Sequence, residues 1–131
     1  MYCIKCNSGD VTIDCDAPFD EVSTPGTRII SPNHPSNYES SKVCQITIRF
    51  SERVRIRFEA FNLESHPSCN YDYIQVRDGD NANSNQIGSN LCGTTIPDAI
   101  ESTGQSMTLI FRTDGSVARS GFKILTELGK N

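Results

Sequence analysis

Apolar and polar residues alternate along most of this chain. Cys44, Ile46, Ile48 and Phe50 are interleaved with Gln45, Thr47 and Arg49, and Val54, Ile56 and Phe58 with Arg53, Arg55 and Arg57. Met107, Leu109 and Phe111 repeat the pattern, and Phe122 with Ile124 closes it. Successive side chains of a strand point to opposite sides, so each run predicts a strand with one face in a core and one in water. Turn-forming stretches separate the runs: Ser31-Pro32-Asn33-His34-Pro35, Asp78-Gly79-Asp80-Asn81 and Asp114-Gly115-Ser116. No window of helical length carries an apolar stripe at helical spacing. Short strands at regular intervals predict an all-β fold, an antiparallel β-sandwich of jelly-roll type.

The 131 residues suit one such domain with one core. Residues 1–14 are polar and weakly patterned, and are read as an N-terminal extension or the tail of a preceding module; residues 15–131 are read as the sandwich domain. With 36% hydrophobic and 21% charged residues, the composition excludes a disordered chain. Apolar runs are far shorter than the roughly 20 residues that span a bilayer as a helix, so no transmembrane segment is expected. Met1-Tyr2-Cys3-Ile4-Lys5-Cys6 lacks the apolar stretch of a signal peptide, so that segment is expected to have been removed, or Met1 to be an addition. The net charge of −4 argues mildly against nucleic acid as a partner.

Six cysteines, widely spaced, are read as an extracellular disulfide framework. The chain is therefore expected to be secreted, or to be an extracellular part of a larger protein. Cys3 and Cys6 have zinc-knuckle spacing, but no second close pair of Cys or His follows, and His34 and His66 stand apart. Catalytic readings fare poorly. No serine lies in a nucleophile-elbow motif, and the two histidines suggest no triad. Glu64 and Asp72 as a glycosidase pair are less apt than a cation cage, given a third acid nearby. There is no phosphate loop, no base-stacking platform and no Asn-x-Ser/Thr sequon.

Several ordered segments resemble those of the CUB domain family, the jelly-roll module of complement proteases, astacin-type metalloproteases, neuropilins and spermadhesins. Gly26-Thr27-Arg28-Ile29-Ile30-Ser31-Pro32-Asn33-His34-Pro35 is similar to the family's opening, with His34 at a usual Tyr. Tyr38 and the strand from Cys44 follow. Phe58-Glu59-Ala60-Phe61-Asn62-Leu63-Glu64 leads into Cys69-Asn70-Tyr71-Asp72-Tyr73-Ile74-Gln75-Val76-Arg77-Asp78-Gly79, the most diagnostic stretch. Leu91-Cys92-Gly93 and Gly121-Phe122 complete the match, which runs over about residues 15–128.

The resemblance implies bridges Cys15–Cys44 and Cys69–Cys92, each worth about 3.5 kcal/mol in the chain-entropy model. Cys3 and Cys6 fall outside the pattern; they would bridge each other or a neighbouring module. In calcium-binding members the acids at the places of Glu64, Asp72 and Asp114 are the metal ligands, so the resemblance implies a Ca²⁺ site here. Elementary electrostatics agrees: three carboxylates within a few ångströms must take up a proton or a cation. Calcium accepts six to eight oxygens in flexible geometry, and the backbone of Ser116 is a candidate for one of them; magnesium demands a stricter octahedron.

The resemblance further implies a function. The ion orders loops, and its carboxylates grip a basic residue, usually Lys, of an extracellular protein ligand. His66, Tyr71 and Ser116 match the polar neighbours of that grip, and Tyr38 is expected to support the carboxylates. Two alternatives stand beside it. Arg53, Arg55 and Arg57, with Arg49 on the preceding strand, would form an outward stripe able to hold sulfated glycan. Otherwise the chain is a structural or dimerisation module, itself non-catalytic, of a secreted protease.

Overall fold

The computed structural model describes residues 9–16 and 18–129. Among these there is no helix, and nine strands form two sheets. They are β1 (Asp10–Thr12), β2 (Glu21–Val22), β3 (Arg28–Ile30), β4 (Val43–Arg49), β5 (Val54–Asn62), β6 (Tyr73–Arg77), β7 (Ile100–Glu101), β8 (Ser106–Arg112) and β9 (Gly121–Leu128). One sheet runs β1-β3-β9-β5-β7 and the other β2-β4-β8-β6. Odd strands lie in the first and even strands in the second, so every connection crosses from one sheet to the other. The fold is the β-sandwich the alternating runs predict. Its pairing is antiparallel except at two short edges, where β1 lies parallel to β3 and β2 to β4.

The inward face of each strand fills one core. Ile46, Ile48, Ile56, Met107, Leu109, Phe111, Phe122 and Ile124 are essentially sealed from solvent. Phe111 stands at its centre, edge-on to Tyr38 and Phe122 with ring centroids 5.1 and 5.0 Å away. That geometry sets positive ring edges against negative faces.

Two local features escape simple alternation. In β5 the register against β9 shifts between Phe58 and Ala60. This bulge changes the parity of the strand, so that Phe61 and Leu63 follow Phe58 into the core. Phe61 then meets Phe58 edge-on at 5.7 Å, and Glu59, turned outward, accepts two bonds from Arg28. At the start of β9, Gly121 has φ 88°, and a Cβ there would lie 1.8 Å from Ser31 Oγ. Only glycine admits both that backbone and that approach, which lets Ser31 Oγ accept from Phe122 N–H at 3.0 Å.

Disulfides join Cys15 to Cys44 and Cys69 to Cys92, the pairs the resemblance implies. Cys3 and Cys6 lie outside the described residues. The stretch before Cys15 contributes β1 to the larger sheet and Ile13 to the core. Ordered structure thus begins ahead of the first bridged cysteine. No helix among the described residues is long and apolar enough to cross a membrane.

Candidate metal centre

Alternation between the sheets decides where the loops meet. The ends of β3, β5 and β8 and the starts of β4, β6 and β9 lie together: Val43 and Tyr73 both pair with Arg112, Asn62 pairs with Gly121, and Ile30 with Lys123. Three loops therefore converge at one end of the sandwich. The β5–β6 loop brings Glu64 and Asp72, the β8–β9 loop Asp114, and the β3–β4 loop Tyr38. One carboxylate oxygen from each of Glu64, Asp72 and Asp114 lies within 4.8 Å of the others.

Asp72 is wholly buried. Its Oδ2 accepts from the Tyr38 hydroxyl at 2.5 Å and its Oδ1 from the Asp114 backbone N–H at 2.8 Å. Tyr38, itself buried against Phe111, also accepts from Glu64 N–H at 3.3 Å. One phenol thus ties together two of the three acidic segments. Asp114 is capped locally: Ser116 donates to it from its backbone N–H at 3.2 Å and from its hydroxyl at 3.3 and 3.4 Å. Glu64 is different. Its Oε1 is buried and has no hydrogen-bond partner.

The electrostatics follow from this crowding. Burial first, then the charges of Asp114 and Asp72, raise the Glu64 carboxyl above its usual range. The charge of Arg119 opposes this. Burial raises the Asp72 carboxyl as well, against the lowering effect of its bonds from Tyr38 and Asp114 N–H. Tyr38 is held protonated by burial and by donating to Asp72. No member of the trio has an ion-pair partner among the described residues. An orphaned buried carboxylate oxygen beside two further carboxylates is a poor arrangement without a cation and an apt one for a hard, oxygen-loving ion.

The sign of the pH dependence is fixed by these shifts. Folded-state values above the unfolded ones mean that the native, metal-free protein binds protons more tightly at Glu64 and Asp72, so acid relieves those two. Calcium instead needs the carboxylates ionised. A gain in melting temperature from bound calcium would therefore shrink as the pH falls from neutral into the range where the raised Glu64 and Asp72 carboxyls take up protons. Melting curves with and without chelator, taken across that window, read it directly; a constant gain would contradict it.

Around the trio, His66 lies against the exposed Tyr71 ring with centroids 4.2 Å apart. His66 Nδ1 accepts from the backbone N–H groups of Ser68 and Asn70 at 3.1 and 3.3 Å. That leaves Nε2 as the protonated nitrogen of the neutral ring. The Ser116 carbonyl, a candidate metal ligand, accepts from the Ser40 hydroxyl at 3.0 Å and retains a second lone pair. Sequence reasoning missed two supports. His34 Nδ1 lies 3.0 Å from the Ser120 carbonyl and donates to it, fastening the β3–β4 loop to the β8–β9 loop. Arg119 offers its carbonyl to Tyr38 N–H at 3.0 Å besides its charge to Glu64. His34 stood in the family's opening as a replacement for Tyr without a role attached, and Arg119 had no motif at all.

The arginine stripe is outward but satisfied. Arg53 pairs with Glu101, Arg55 with Glu101 and Glu127, Arg57 with Glu127, and Arg49 with Glu21 and Asp80. A sulfated glycan would have to displace these carboxylates, which counts against that surface as a glycan site.

Residues 15–125 match the family model for the CUB domain. Human tolloid-like protein 1 is 41% identical over 130 residues, which is 93% of this chain and 13% of that protein. A bone morphogenetic protein 1 homolog of Strongylocentrotus purpuratus is 46% identical over 94 residues, 70% of this chain and 15% of that one. The chain thus spans only a small part of these relatives. Among solved structures, the MASP-1 CUB2 domain bound to Ca²⁺ is 33% identical and superimposes with a TM-score of 0.67, covering 76% of this chain and 89% of that one. The CUB1-EGF-CUB2 region of human MASP-1/3 gives a TM-score of 0.73 at 28% identity, covering 82% and 40%. The matched module is non-catalytic. With the sandwich, both bridges and the family match in agreement, the chain belongs to the CUB domain family.

Proposed function

We propose that this extracellular interaction module binds one Ca²⁺ between Glu64, Asp72 and Asp114, and that the ion-held carboxylates then grip a lysine of a protein ligand. The observation that carries the reading is the convergence of three carboxylates, one of them with a buried oxygen lacking any donor. The Ca²⁺-bound MASP-1 CUB2 domain, similar over most of its length, supports the choice of ion. The Ser116 carbonyl would add an oxygen, and water the rest. Calcium would supply charge compensation and loop order, and no reaction.

Carboxylates fixed by an ion lose little freedom when an ammonium group arrives, so the binding energy is not spent on ordering them. Tyr71, exposed and tilted against His66, would cover the lysine stem, and His66 and Ser116 would add polar contacts. The parent protein's location and partners follow from this only as proposals: secreted or cell-surface, engaging Lys-bearing proteins.

The test uses calcium alone and then Nα-acetyl-lysine amide as probe. Calorimetry should register one calcium with a dissociation constant in the range of extracellular modules, about 10⁻⁴–10⁻³ M. The lysine amide should then shift the NMR signals of His66, Tyr71 and Ser116 in calcium but not in chelator. No heat up to about 10 mM calcium would remove the metal site. Shifts indifferent to chelator would remove the grip.

A further inference from the structure

The sequence contains two Asp-Gly pairs, Asp78-Gly79 and Asp114-Gly115. Such pairs rearrange without an enzyme more readily than others. Glycine has no side chain to shield its own backbone nitrogen from the carboxyl beside it. The sequence ranks the two pairs equally; their surroundings do not.

Asp78-Gly79 is held on every group that would have to move. Asp78 Oδ1 accepts from Thr103 N–H at 2.9 Å and Oδ2 from the Thr103 hydroxyl at 2.8 Å. Asp78 N–H donates to the Asn85 carbonyl at 2.7 Å, and the Gly79 carbonyl accepts from the Thr108 hydroxyl at 2.9 Å. Gly79 is also crowded, since a Cβ there would lie 2.3 Å from Ser84 Oγ.

Asp114-Gly115 lies between β8 and β9, outside any strand. The Asp114 backbone is fixed: its N–H donates to Asp72 Oδ1 at 2.8 Å and its carbonyl accepts from Ser41 N–H at 2.7 Å. Its carboxyl is held from within the same loop, by Ser116 N–H at 3.2 Å and the Ser116 hydroxyl at 3.3 and 3.4 Å. The bond from Ser116 N–H curls the side chain back over the Gly115 peptide, as in an Asx turn. Gly115 is exposed, and its N–H donates no hydrogen bond among the described residues.

We infer that Asp114-Gly115 is a site of spontaneous aspartate isomerisation, and that Asp78-Gly79 is protected from it. The Gly115 nitrogen attacks Asp114 Cγ. As the C–N bond forms, one carboxylate oxygen leaves as water, taking the Gly115 amide proton and one proton from solvent. Water then opens the five-membered imide. Opening at Cγ restores aspartate. Opening at the Asp114 backbone carbonyl gives isoaspartate, in which the main chain runs through Cβ and Cγ and the free carboxylate sits on Cα. Mass is unchanged overall, and water is the only co-reactant. The product lengthens the main chain by one methylene and takes the carboxylate from its place beside Glu64 and Asp72. With the trio read as a calcium site, altered molecules lose calcium, and an ion held by Asp114 slows the reaction. This consequence alone rests on the metal reading.

The whole chain, incubated for weeks at body temperature in chelator and in calcium, provides the test. Isoaspartyl methyltransferase labelling measures the product, and electron-transfer fragmentation of peptides places it. In chelator, isoaspartate should accumulate at residue 114 severalfold faster than at residue 78, and calcium should slow it severalfold. A Cβ on Gly115 would meet nothing closer than Ser41 Oγ at 3.6 Å, so Gly115→Ala fits the loop while shielding the nitrogen. That variant should isomerise severalfold more slowly. No isoaspartate at residue 114 in chelator overturns the inference, as do equal rates at residues 78 and 114. Equal rates with and without calcium would count against the metal reading and leave the isomerisation standing.

Discussion

Glu64→Gln is expected to raise the melting temperature of the metal-free protein and to erase its response to calcium. The substitution keeps the shape of the side chain and removes a charge that Asp72 and Asp114 oppose. It also supplies a donor where Oε1 now lies buried and alone. With the proposed site, calcium at a hundred times its dissociation constant would stabilise the wild-type native state by about 2.7 kcal/mol, roughly 10 °C for a domain of this length. Losing one of three anionic ligands should cost most of that gain. The opposite signs make the result diagnostic: a glutamate kept only for packing or hydrogen bonding would, on substitution, lower the apo melting point and leave the calcium shift intact. Scanning calorimetry in chelator and in calcium at that hundredfold excess distinguishes the two.

Phe111→Ala should be the most destabilising single change that also reaches the metal centre. The ring is 1% exposed and edge-on to both Tyr38 and Phe122, on a strand paired on both sides. Emptying a site so tightly framed costs about 4 kcal/mol, comparable to either disulfide in the chain-entropy model. Tyr38 loses the partner that sets its ring, and with it the hydroxyl that donates to Asp72 and accepts from Glu64 N–H. Calcium affinity should fall with stability. Tyr38→Phe is the control, since it keeps the ring contact and removes only the hydroxyl; it should lower calcium affinity with a smaller loss of stability. Urea denaturation gives the first quantity and calorimetric titration the second. An unchanged calcium affinity in both variants would show that the phenol does not organise the site.

The two variants act from different depths. Glu64 belongs to the loops, where crowded charge determines the response to an ion. Phe111 belongs to the core, where packing sets the position of Tyr38 and hence the spacing of those charges. The core lends its rigidity to the loops through one aromatic side chain. Crowded charge is useful only when the surrounding structure holds it in place.

Local order was legible from the residue pattern because a strand half in a core must alternate. Ile46, Ile48, Ile56, Leu109 and Ile124 all sit where their parity puts them. The bulge near Phe58 was not legible, because Phe61 and Leu63 join the core only once β5 has shifted against β9. Residues 1–14 are polar and weakly patterned as a sequence, yet within them β1 pairs with β3 and Ile13 is buried. Pairing partners are distant in sequence, and no local pattern encodes them. The arginine stripe shows the same limit: its spacing was plain, while its neutralisation by Glu101 and Glu127 depended on strands far along the chain.

What the sequence by itself determined was the strand content, the positions of the cysteines and the identity of the acids at Glu64, Asp72 and Asp114. Only the tertiary structure decided that these acids share one end of the sandwich, that Asp72 is sealed from water, and that Glu64 Oε1 has no donor. The reason is physical. Alternation and residue type are local properties, whereas burial and the distance between charges depend on which strands cross from sheet to sheet and bring their loops together.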